Sequence, residues 1–345
     1  MILKNLLALP KENPDQLIGL RDSIYAADML VTAIVHFDFF TWLSEHPSTA
    51  VEICNRFGLS PRPADVMLTL FKSYGLIQEK EGVIRPTALA AEHLTGPSEF
   101  SLAPYFGNLS DRPTVEKMLG VLKTGHPASW GGQAGEKDWA KAMETEGFAD
   151  SFTAGMDSRG AYFAPGLART FDFSPYHSLL DVAGGSGVYA AAVKAQWPGL
   201  QTMVLEKAPV DNIARRALEK RGMAGQVEVV AGDMFNQELP GGHDVHLYSH
   251  AIHDWTEEQN AVILANSYRN LRPGGIVMVH DAHIDEDKCG PVSVAEYSVL
   301  LMFVSYGKCY SFGEMRGLLE NAGFSNIKYQ QTVGNRSVVT GEKGE

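Results

Sequence analysis

Three acidic residues in the second half of the chain each end or follow a short apolar run. Asp181 lies at the end of the first run, before a glycine-rich segment in which Gly184, Gly185 and Gly187 would let the backbone approach a ligand at the start of a helix. Glu206 ends the second run, where a carboxylate can accept hydrogen bonds from both hydroxyls of a ribose. Asp233 ends the third run in Ala-Gly-Asp-Met-Phe, placed to accept a hydrogen bond from an adenine amino group.

The acid in front of the glycines distinguishes between two nucleoside ligands. Gly185, Gly187 and Ala190 satisfy the loose dinucleotide pattern, and on its own this pattern is also met by a tight turn between a strand and a helix. A carboxylate at Asp181 would repel a pyrophosphate but would attract an ammonium group. A ligand with an amine, a ribose and an adenine but no phosphate is S-adenosylmethionine (SAM). We therefore expect SAM, with S-adenosylhomocysteine (SAH) as its product, in preference to NAD.

Two histidine patterns come next along the chain. His253 lies in Ser-His-Ala-Ile-His-Asp-Trp, just past the fourth apolar run, and an imidazole there titrates near neutral pH as a general base requires. The alternative for a single histidine is an ordinary half-buried side chain. His280, Asp281 and His283 resemble a metal cluster, but on a strand His280 faces the opposite side from the other two. We therefore expect no metal site.

Alternating strands and helices must position these residues. Five β-rich runs alternate with helical segments and predict a doubly wound α/β domain, with ligands at the carboxyl ends of a parallel sheet. The runs are 177–183, 201–206, 226–233, a fourth held within 244–255, and 276–282. A late helix from about Phe312 to Ala322 and two late strands, Asn-Ile-Lys-Tyr-Gln-Gln-Thr and Arg-Ser-Val-Val-Thr-Gly-Glu, complete the domain.

The N-terminal third predicts a winged helix. Thr49 and Glu52 form a capping box that opens one helix, a second helix spans about residues 61–74, and Glu81-Gly82 turns a hairpin. The second helix carries only a weak net positive charge, whereas a helix that reads a DNA groove presents Arg, Lys, Asn or Gln. We expect a structural or dimerisation role in preference to DNA binding.

Composition limits the partners and the compartment. The 345 residues include 29 Lys and Arg against 41 Asp and Glu, a net charge of −12 that disfavours nucleic acid and anionic membrane surfaces. Three cysteines are too few and too scattered for a disulfide framework or a four-thiolate zinc site. Neither a secretory leader nor an apolar run long enough to span a bilayer is apparent. We expect a cytoplasmic protein that acts on a small molecule.

The motifs together resemble one enzyme family. Leu-Leu-Asp-Val-Ala-Gly-Gly-Ser-Gly, Val-Leu-Glu-Lys-Ala-Pro-Val, Val-Ala-Gly-Asp-Met-Phe, the His-Asp-Trp-Thr-Glu-Glu-Gln segment and Asn-Leu-Arg-Pro-Gly-Gly are similar to those of SAM-dependent O-methyltransferases of the caffeate, hydroxyneurosporene and acetylserotonin type. The resemblance covers nearly the whole chain. It implies a Rossmann-like SAM-methyltransferase domain, whose mostly parallel sheet has an antiparallel late strand, after a mostly α winged-helix domain that forms a homodimer. We expect the ranges 1–100 (dimerisation), 101–165 (helical linker that contributes to the substrate pocket) and 166–345 (SAM-binding catalytic domain).

The resemblance also assigns roles to residues. It makes His253 the general base for a hydroxyl of a small aromatic or polyene secondary metabolite, and Asp281 the acid that orients it. Cys309 stands where many members carry a second acid, and Ser249 where plant members tend to place Lys. The expected cofactor-binding residues are Asp181, Gly184, Gly185, Gly187, Glu206, Asp233, Met234, Ser249 and Asp254. The expected substrate residues are Phe152, Met156, Tyr297, Leu301, Met302 and Cys309.

Two other functions stay open at this point. The missing second acid at Cys309 leaves room for methyl transfer to carbon, nitrogen or sulfur on the same scaffold. A winged-helix regulator that senses SAM without catalysis is the non-enzymatic alternative. The weakly basic second helix disfavours it, and the intact His253–Asp254 pair gives no reason to expect an inactive enzyme.

Overall fold

The computed structural model describes residues 5–128, 139–236 and 238–345. Its helices are α1 (Asp15–Asp22), α2 (Ala26–Phe37), α3 (Phe39–Glu45), α4 (Ala50–Phe57), α5 (Pro61–Ser73), α6 (Ala88–His93), α7 (Ala103–Gly107), α8 (Pro113–Thr124), α9 (Trp139–Ala142), α10 (Glu146–Thr170), α11 (Val188–Gln196), α12 (Val210–Lys220), α13 (Glu257–Asn270), α14 (Val292–Val304) and α15 (Phe312–Asn321). Its strands are β1 (Ile77–Lys80), β2 (Val83–Pro86), β3 (Ser178–Val182), β4 (Gln201–Glu206), β5 (Val227–Ala231), β6 (His243–Ser249), β7 (Leu271–Asp281), β8 (Ser325–Gln331) and β9 (Ser337–Glu342).

Seven of the strands form one sheet in the order β5-β4-β3-β6-β7-β9-β8. Strands β5, β4, β3, β6 and β7 are parallel, while β9 runs antiparallel to both β7 and β8. This arrangement confirms the predicted α/β fold with a mostly parallel sheet and an antiparallel late strand. The strand order reverses between β3 and β6, and ligands of such sheets bind at the carboxyl ends of the strands beside this reversal.

Strand β7 begins earlier than predicted. We expected Pro273-Gly274-Gly275 to end the preceding helix and the strand to start at 276, but β7 begins at Leu271, which pairs with His243 of β6. The glycines sit in a bulge of this pairing, and a Cβ at Gly275 would approach the Asp244 carbonyl oxygen to 2.9 Å. The absence of a side chain therefore allows close approach of two strands here.

The chain divides into two compact units, each built from separate stretches of sequence. The first contains Met1–Asp15, Asp138–His283 and Phe312–Glu345, and the second contains Gln16–Lys137 and Ile284–Ser311. These units differ from the continuous ranges 1–100, 101–165 and 166–345. Helix α10 runs unbroken across the expected boundary at 165, and α14 belongs to the second unit. The functional domain ranges stay a prediction.

The second unit contains the elements that the sequence indicates for its N-terminal part. Thr49 and Glu52 form the expected capping box of α4, α5 follows with Pro61 at its first position, and β1 and β2 pair as an antiparallel hairpin. Aromatic rings pack among these helices: Phe39 lies 5.7 Å from Phe71, centroid to centroid. Aromatic residues this dense near the N-terminus favour an exposed apolar interface. The structure differs, because Phe39 and Phe40 are fully buried within the chain itself.

Among the described residues, no single helix is long and apolar enough to cross a membrane. The segments Asp15–Phe37 and Phe39–Glu45, which meet at a 63° bend, have sufficient length and apolar composition only when they are taken together.

Candidate active site

The glycine-rich loop has a backbone that most residues do not adopt. Ala183, Gly185 and Gly187 all have positive φ angles, of 56°, 59° and 73°. A Cβ at Gly184 would lie only 2.7 Å from the Asp181 carboxylate, so this position accepts no larger residue without movement. Gly187 is the N-cap of α11, and its amide donates to the Gly184 carbonyl oxygen (2.9 Å), which closes a tight turn within the loop. The loop therefore exposes backbone where β3 ends.

Asp181 and Glu206 lie beside each other because β3 and β4 are parallel neighbours. Glu206 Oε1 accepts a hydrogen bond from the Gly185 amide (2.8 Å), and Oε2 accepts one from the Lys207 amide (2.9 Å). Asp181 Oδ2 accepts a weaker bond from the Ala190 amide at 3.3 Å. Its other oxygen, Oδ1, is buried and accepts no hydrogen bond from the described residues.

Burial perturbs both carboxylates. Burial raises the pKa of Asp181 to about 8, because the Ala190 amide only partly compensates and Glu206 adds repulsion. Burial likewise raises the pKa of Glu206 to about 7, against two backbone amides that favour its ionised form. A buried carboxylate oxygen without a donor fits a cationic ligand group, because pairing offsets the cost of burying the charge. These residues therefore fit the ammonium and ribose of SAM.

The remaining expected cofactor residues lie at the ends of neighbouring strands. Asp233 follows β5 and accepts hydrogen bonds from the Phe235 amide and from Asn236 Nδ2, both at 2.9 Å. The carbonyl oxygen of the next residue, Met234, accepts a bond from Asn266 Nδ2 on α13 (3.1 Å). Ser249 ends β6, and its buried hydroxyl has no hydrogen-bond partner among the described residues.

His253 and Asp281 form a buried hydrogen-bonded pair. His253 lies in the 3₁₀ turn Ile252–Asp254 after β6, and Asp281 is the last residue of β7. Because these strands are parallel neighbours, His253 Nδ1 comes within 2.7 Å of Asp281 Oδ1. The same oxygen accepts a bond from the Ala282 amide (2.8 Å). The pair therefore fixes the imidazole, whose Nε2 lies 3.8 Å from Asp254 Oδ2.

Charge governs the protonation of this pair. Burial alone would lower the pKa of His253, but the negative charges of Asp281 and Asp254 and the bond to Asp281 raise it above the usual 6.5. Burial opposes ionisation of Asp281 too, yet the adjoining His253 and His250 hold the pKa of that carboxyl well below its usual range. The structure thus contains an ionised carboxylate paired with an imidazole of increased basicity.

A second histidine, His250, lies beside this pair. His250 Nδ1 lies 3.4 Å from Asp281 Oδ1 without hydrogen-bond alignment. His250, His253 and Asp281 offer three ligand atoms within 4.8 Å of one another, the one such group among the described residues. The 2.7 Å contact between His253 and Asp281 is a normal length for a direct hydrogen bond. The expectation that the chain uses no metal stays a prediction.

His280, Asp281 and His283, which resemble a metal cluster in the sequence, are not the group that the structure brings together. His280 Nε2 lies 3.1 Å from the Thr332 hydroxyl, and His283 Nδ1 lies 2.8 Å from the Ser337 hydroxyl. Each of these imidazoles has its own hydroxyl partner on the segment that leads into β9 or starts it. Burial lowers the pKa of His280 to about 3 and that of His283 to about 4, so both are neutral near pH 7.

The expected substrate residues fall into both compact units. Phe152 and Met156 are half-buried on α10, where Phe152 stacks on Phe148 with ring centroids 6.2 Å apart. The others are buried in the second unit; Tyr297, Leu301 and Met302 lie on α14 and Cys309 follows it. The Cys309 amide donates to the Ser298 hydroxyl (3.1 Å). Their roles toward a substrate stay a prediction.

Asp157, a carboxylate on α10 that contacts the glycine-rich loop, was missed in the sequence analysis. Asp157 accepts hydrogen bonds from the Ser186 hydroxyl in the glycine-rich loop and from Arg221 after α12. No local pattern marks Asp157, because its partners are distant in sequence and meet it only through the packing of α10 against α11 and α12.

The fold and the site are typical of a methyltransferase that binds a nucleoside cofactor: strand-end acids lie beside a glycine-rich loop, and a paired imidazole follows the adjacent strand β6. Residues 119–325 match the O-methyltransferase domain family. The chain belongs to this SAM-dependent O-methyltransferase family and is an enzyme that transfers a methyl group from SAM to a hydroxyl.

Two relatives and one solved structure illustrate the similarity. The chain is 30% identical over 96% of its length to 3-hydroxy-5-methyl-1-naphthoate 3-O-methyltransferase of Streptomyces sahachiroi, of which it covers 95%. It is 37% identical over 64% of its length to aclacinomycin 10-hydroxylase RdmB of Streptomyces purpurascens, covering 59% of that protein. An O-methyltransferase family 2 protein from Planctomyces limnophilus, solved in complex with apigenin, superposes with a TM-score of 0.89 at 27% identity, covering 99% of this chain and 100% of the other.

Proposed function

We propose that this enzyme methylates a hydroxyl of a small aromatic secondary metabolite, with His253 as the general base. The observation that carries the proposal is the buried pair of His253 and Asp281 at the carboxyl edge of the sheet, two strands from Asp181. A relative named for a naphthoate substrate and a solved neighbour that holds apigenin support an aromatic acceptor. An aromatic hydroxyl also suits a single imidazole base, because it is far more acidic than an alcohol.

The cofactor-binding roles follow from chemistry at the strand ends. Asp181 would hold the ammonium of SAM, Glu206 the ribose hydroxyls and Asp233 the adenine amine, with Gly184, Gly185 and Gly187 supplying the close backbone approach. Met234, Ser249 and Asp254 border the same strand ends. When bound, SAM supplies an electrophilic methyl group on a sulfonium. Phe152, Met156, Tyr297, Leu301, Met302 and Cys309 are proposed to contact the acceptor.

His253 and Asp281 would together accept and stabilise the proton that leaves the acceptor hydroxyl. His253 donates its Nδ1 hydrogen to Asp281, so Nε2 carries the lone pair that accepts the proton of the acceptor hydroxyl. Asp281 stays ionised and stabilises the imidazolium that results, as its depressed pKa requires. Base catalysis of this kind contributes about 10²–10⁴-fold to the rate.

We further propose a homodimer formed through a winged-helix N-terminal domain. Apolar side chains that the chain itself leaves exposed lie on and near α1 and around α7: Leu17, Leu20, Ile24, Phe100 and Tyr105. Closed two-fold dimers are the commonest assembly that covers such surface. The net charge of −12 disfavours nucleic acid as a partner, and the three scattered cysteines fit a reducing cytoplasm.

The decisive experiment combines methyl-labelled SAM with a panel of phenolic, enolic, thiol and amine acceptors. We expect label in an aryl methyl ether, identified by mass and position, and loss of most of this activity in His253→Ala. His36→Ala, which changes an exposed histidine, is the matched control and should leave the rate unchanged. Label in a thioether, an amine or a carbon position, or a hydroxylated product, would contradict the proposal.

A further inference from the structure

The glycine-rich loop needs a single backbone conformation to bind a ligand, although its glycines allow many conformations. Three of the five residues Ala183–Gly187 are glycines, which lose the most conformational freedom on folding, and three have positive φ angles. Ser186 is the loop's one residue with a polar side chain, and that side chain is almost completely buried. Ser186 is therefore the one residue of this loop whose side chain can attach it by a hydrogen bond to another element.

The loop is fixed from two sides. On one side the Gly185 amide donates to Glu206 at the end of β4. On the other side the Ser186 hydroxyl donates to Asp157 Oδ1, on a helix that begins far upstream in the sequence. The two attachments involve adjacent residues and approach from different elements, so together they define the orientation of the peptide between Gly185 and Ser186.

Asp157 is itself held by a cation. Arg221, whose side chain is 5% exposed, donates Nη2 to the same Oδ1 that accepts from Ser186. Hydrogen bonds within a guanidinium–carboxylate pair are charge-assisted and roughly twice as strong as those between neutral groups. The loop, α10 and the end of α12 thus meet at one oxygen atom.

We propose that Asp157 is a positioning residue for the cofactor: it holds Ser186 so that the amides of the glycine-rich loop keep the geometry that binds SAM. The proposal rests on the proposed function of this loop and of Glu206 as the SAM site. Asp157 acts through Ser186 and does not itself contact the cofactor or the reacting atoms.

The test compares Asp157→Asn, Ser186→Ala and their double variant by calorimetric titration with SAH and by steady-state kinetics. Loss of the charged attachment should weaken SAH binding and raise KM for SAM by about ten-fold, the equivalent of one hydrogen bond. At saturating SAM, kcat should stay within about two-fold, because the base is untouched. The double variant should be no worse than Ser186→Ala alone, because both substitutions act on the same bond between Ser186 and Asp157.

Asp150→Asn is the matched control. Asp150 lies on the same helix and pairs with Arg216 (3.3 Å), but its side chain is 62% exposed, and among the described residues it makes no hydrogen bond to the glycine-rich loop. We expect unchanged SAH affinity. Ser186→Ala keeps the Asp157–Arg221 pair, so it stays informative if Asp157→Asn folds poorly.

Three outcomes would overturn the proposal. They are unchanged SAH affinity in both single variants, additive losses in the double variant, and a fall in kcat at saturating SAM with constant KM. Glu206→Ala separates this failure from failure of the proposed SAM site. If Glu206→Ala weakens SAH binding while Asp157→Asn and Ser186→Ala do not, the proposed SAM site is correct but the positioning role of Asp157 is wrong. If none of the three weakens binding, SAM binds elsewhere.

Discussion

Replacement of Asp281 by Asn tests whether the base depends on its buried partner. The substitution keeps the shape of a side chain whose Oδ1 lies 2.7 Å from His253 Nδ1 and removes its charge. A hydrogen bond to a charged group contributes about 1.5–3 kcal/mol, and one pKa unit corresponds to about 1.4 kcal/mol. The pKa of His253 should therefore fall by about 1–2 units.

The direction of the pH shift follows from which form of His253 is active. The base must be neutral, so activity is lost as pH falls through its pKa. In the wild type that pKa lies above 6.5, because the charges of Asp281 and Asp254 outweigh the effect of burial. Without the charge of Asp281, less opposes the effect of burial on the His253 pKa, so the acidic limb should move to lower pH than in the wild type. At optimal pH the rate should fall about 10- to 100-fold, since a base weakened by 1–2 units accepts a proton at most that much less readily.

The assay measures kcat/KM for the acceptor at saturating SAM across pH 5–9. Saturating SAM keeps Asp181 and Glu206 engaged, so their titration does not enter the profile. His253→Ala should lose about 10²–10⁴ in kcat with SAH affinity nearly unchanged, a larger loss than that of Asp281→Asn. An acidic limb that stays in place in Asp281→Asn, or a His253→Ala variant that retains most of its kcat, would refute general-base catalysis by this pair.

Three further predictions concern binding and assembly. Glu206→Ala should weaken SAH at least about 100-fold in calorimetry, because a carboxylate that accepts from two ribose hydroxyls loses two charge-assisted bonds; unchanged affinity would contradict the ribose role. SAH affinity should rise with pH up to about 8, with protons released on binding, because the ligand's ammonium favours the ionised form of Asp181, whose pKa in the free protein is about 8. Asp181→Asn should abolish that part of the pH dependence in titrations run in buffers of different ionisation heat. Light scattering at micromolar concentration should show a dimer, and a Leu20→Lys or Tyr105→Lys variant should dissociate it; a monomeric wild type would exclude the assembly.

The strand-end acids could be predicted from sequence because one rule places them. Residues that follow consecutive parallel strands meet at one sheet edge, so Asp181 and Glu206 had to be neighbours once the runs around them were interpreted as strands. The pairing of His253 with Asp281 follows from the same rule, but its chemical meaning came from the resemblance. The roles of Cys309 and of the α14 residues rest on the resemblance alone.

What the sequence did not reveal depends on helix packing. Asp157 directly follows Met156, which the sequence analysis, like Phe152, assigned to the substrate pocket. Nothing in the sequence around Asp157 indicates that it contacts Ser186. The register between α10 and the glycine-rich loop is fixed by contacts far apart in sequence. In the same way, the contrast between apolar helices before residue 165 and β-rich runs after it suggested a boundary, whereas α10 continues through Pro165 to Thr170.

The two buried aspartates at the ends of β3 and β7 show how one residue type serves opposite purposes. Both are shielded from water, but Asp281 has an imidazole and a backbone amide on its Oδ1 and is held ionised, whereas Asp181 has one buried oxygen without a donor and a pKa near 8. The base is therefore organised before any ligand arrives. The cofactor site is not, because a cation is needed to stabilise its charge. Cofactor binding should thus be coupled to proton release while the chemistry is coupled to proton uptake by His253, and the two steps should respond to pH independently.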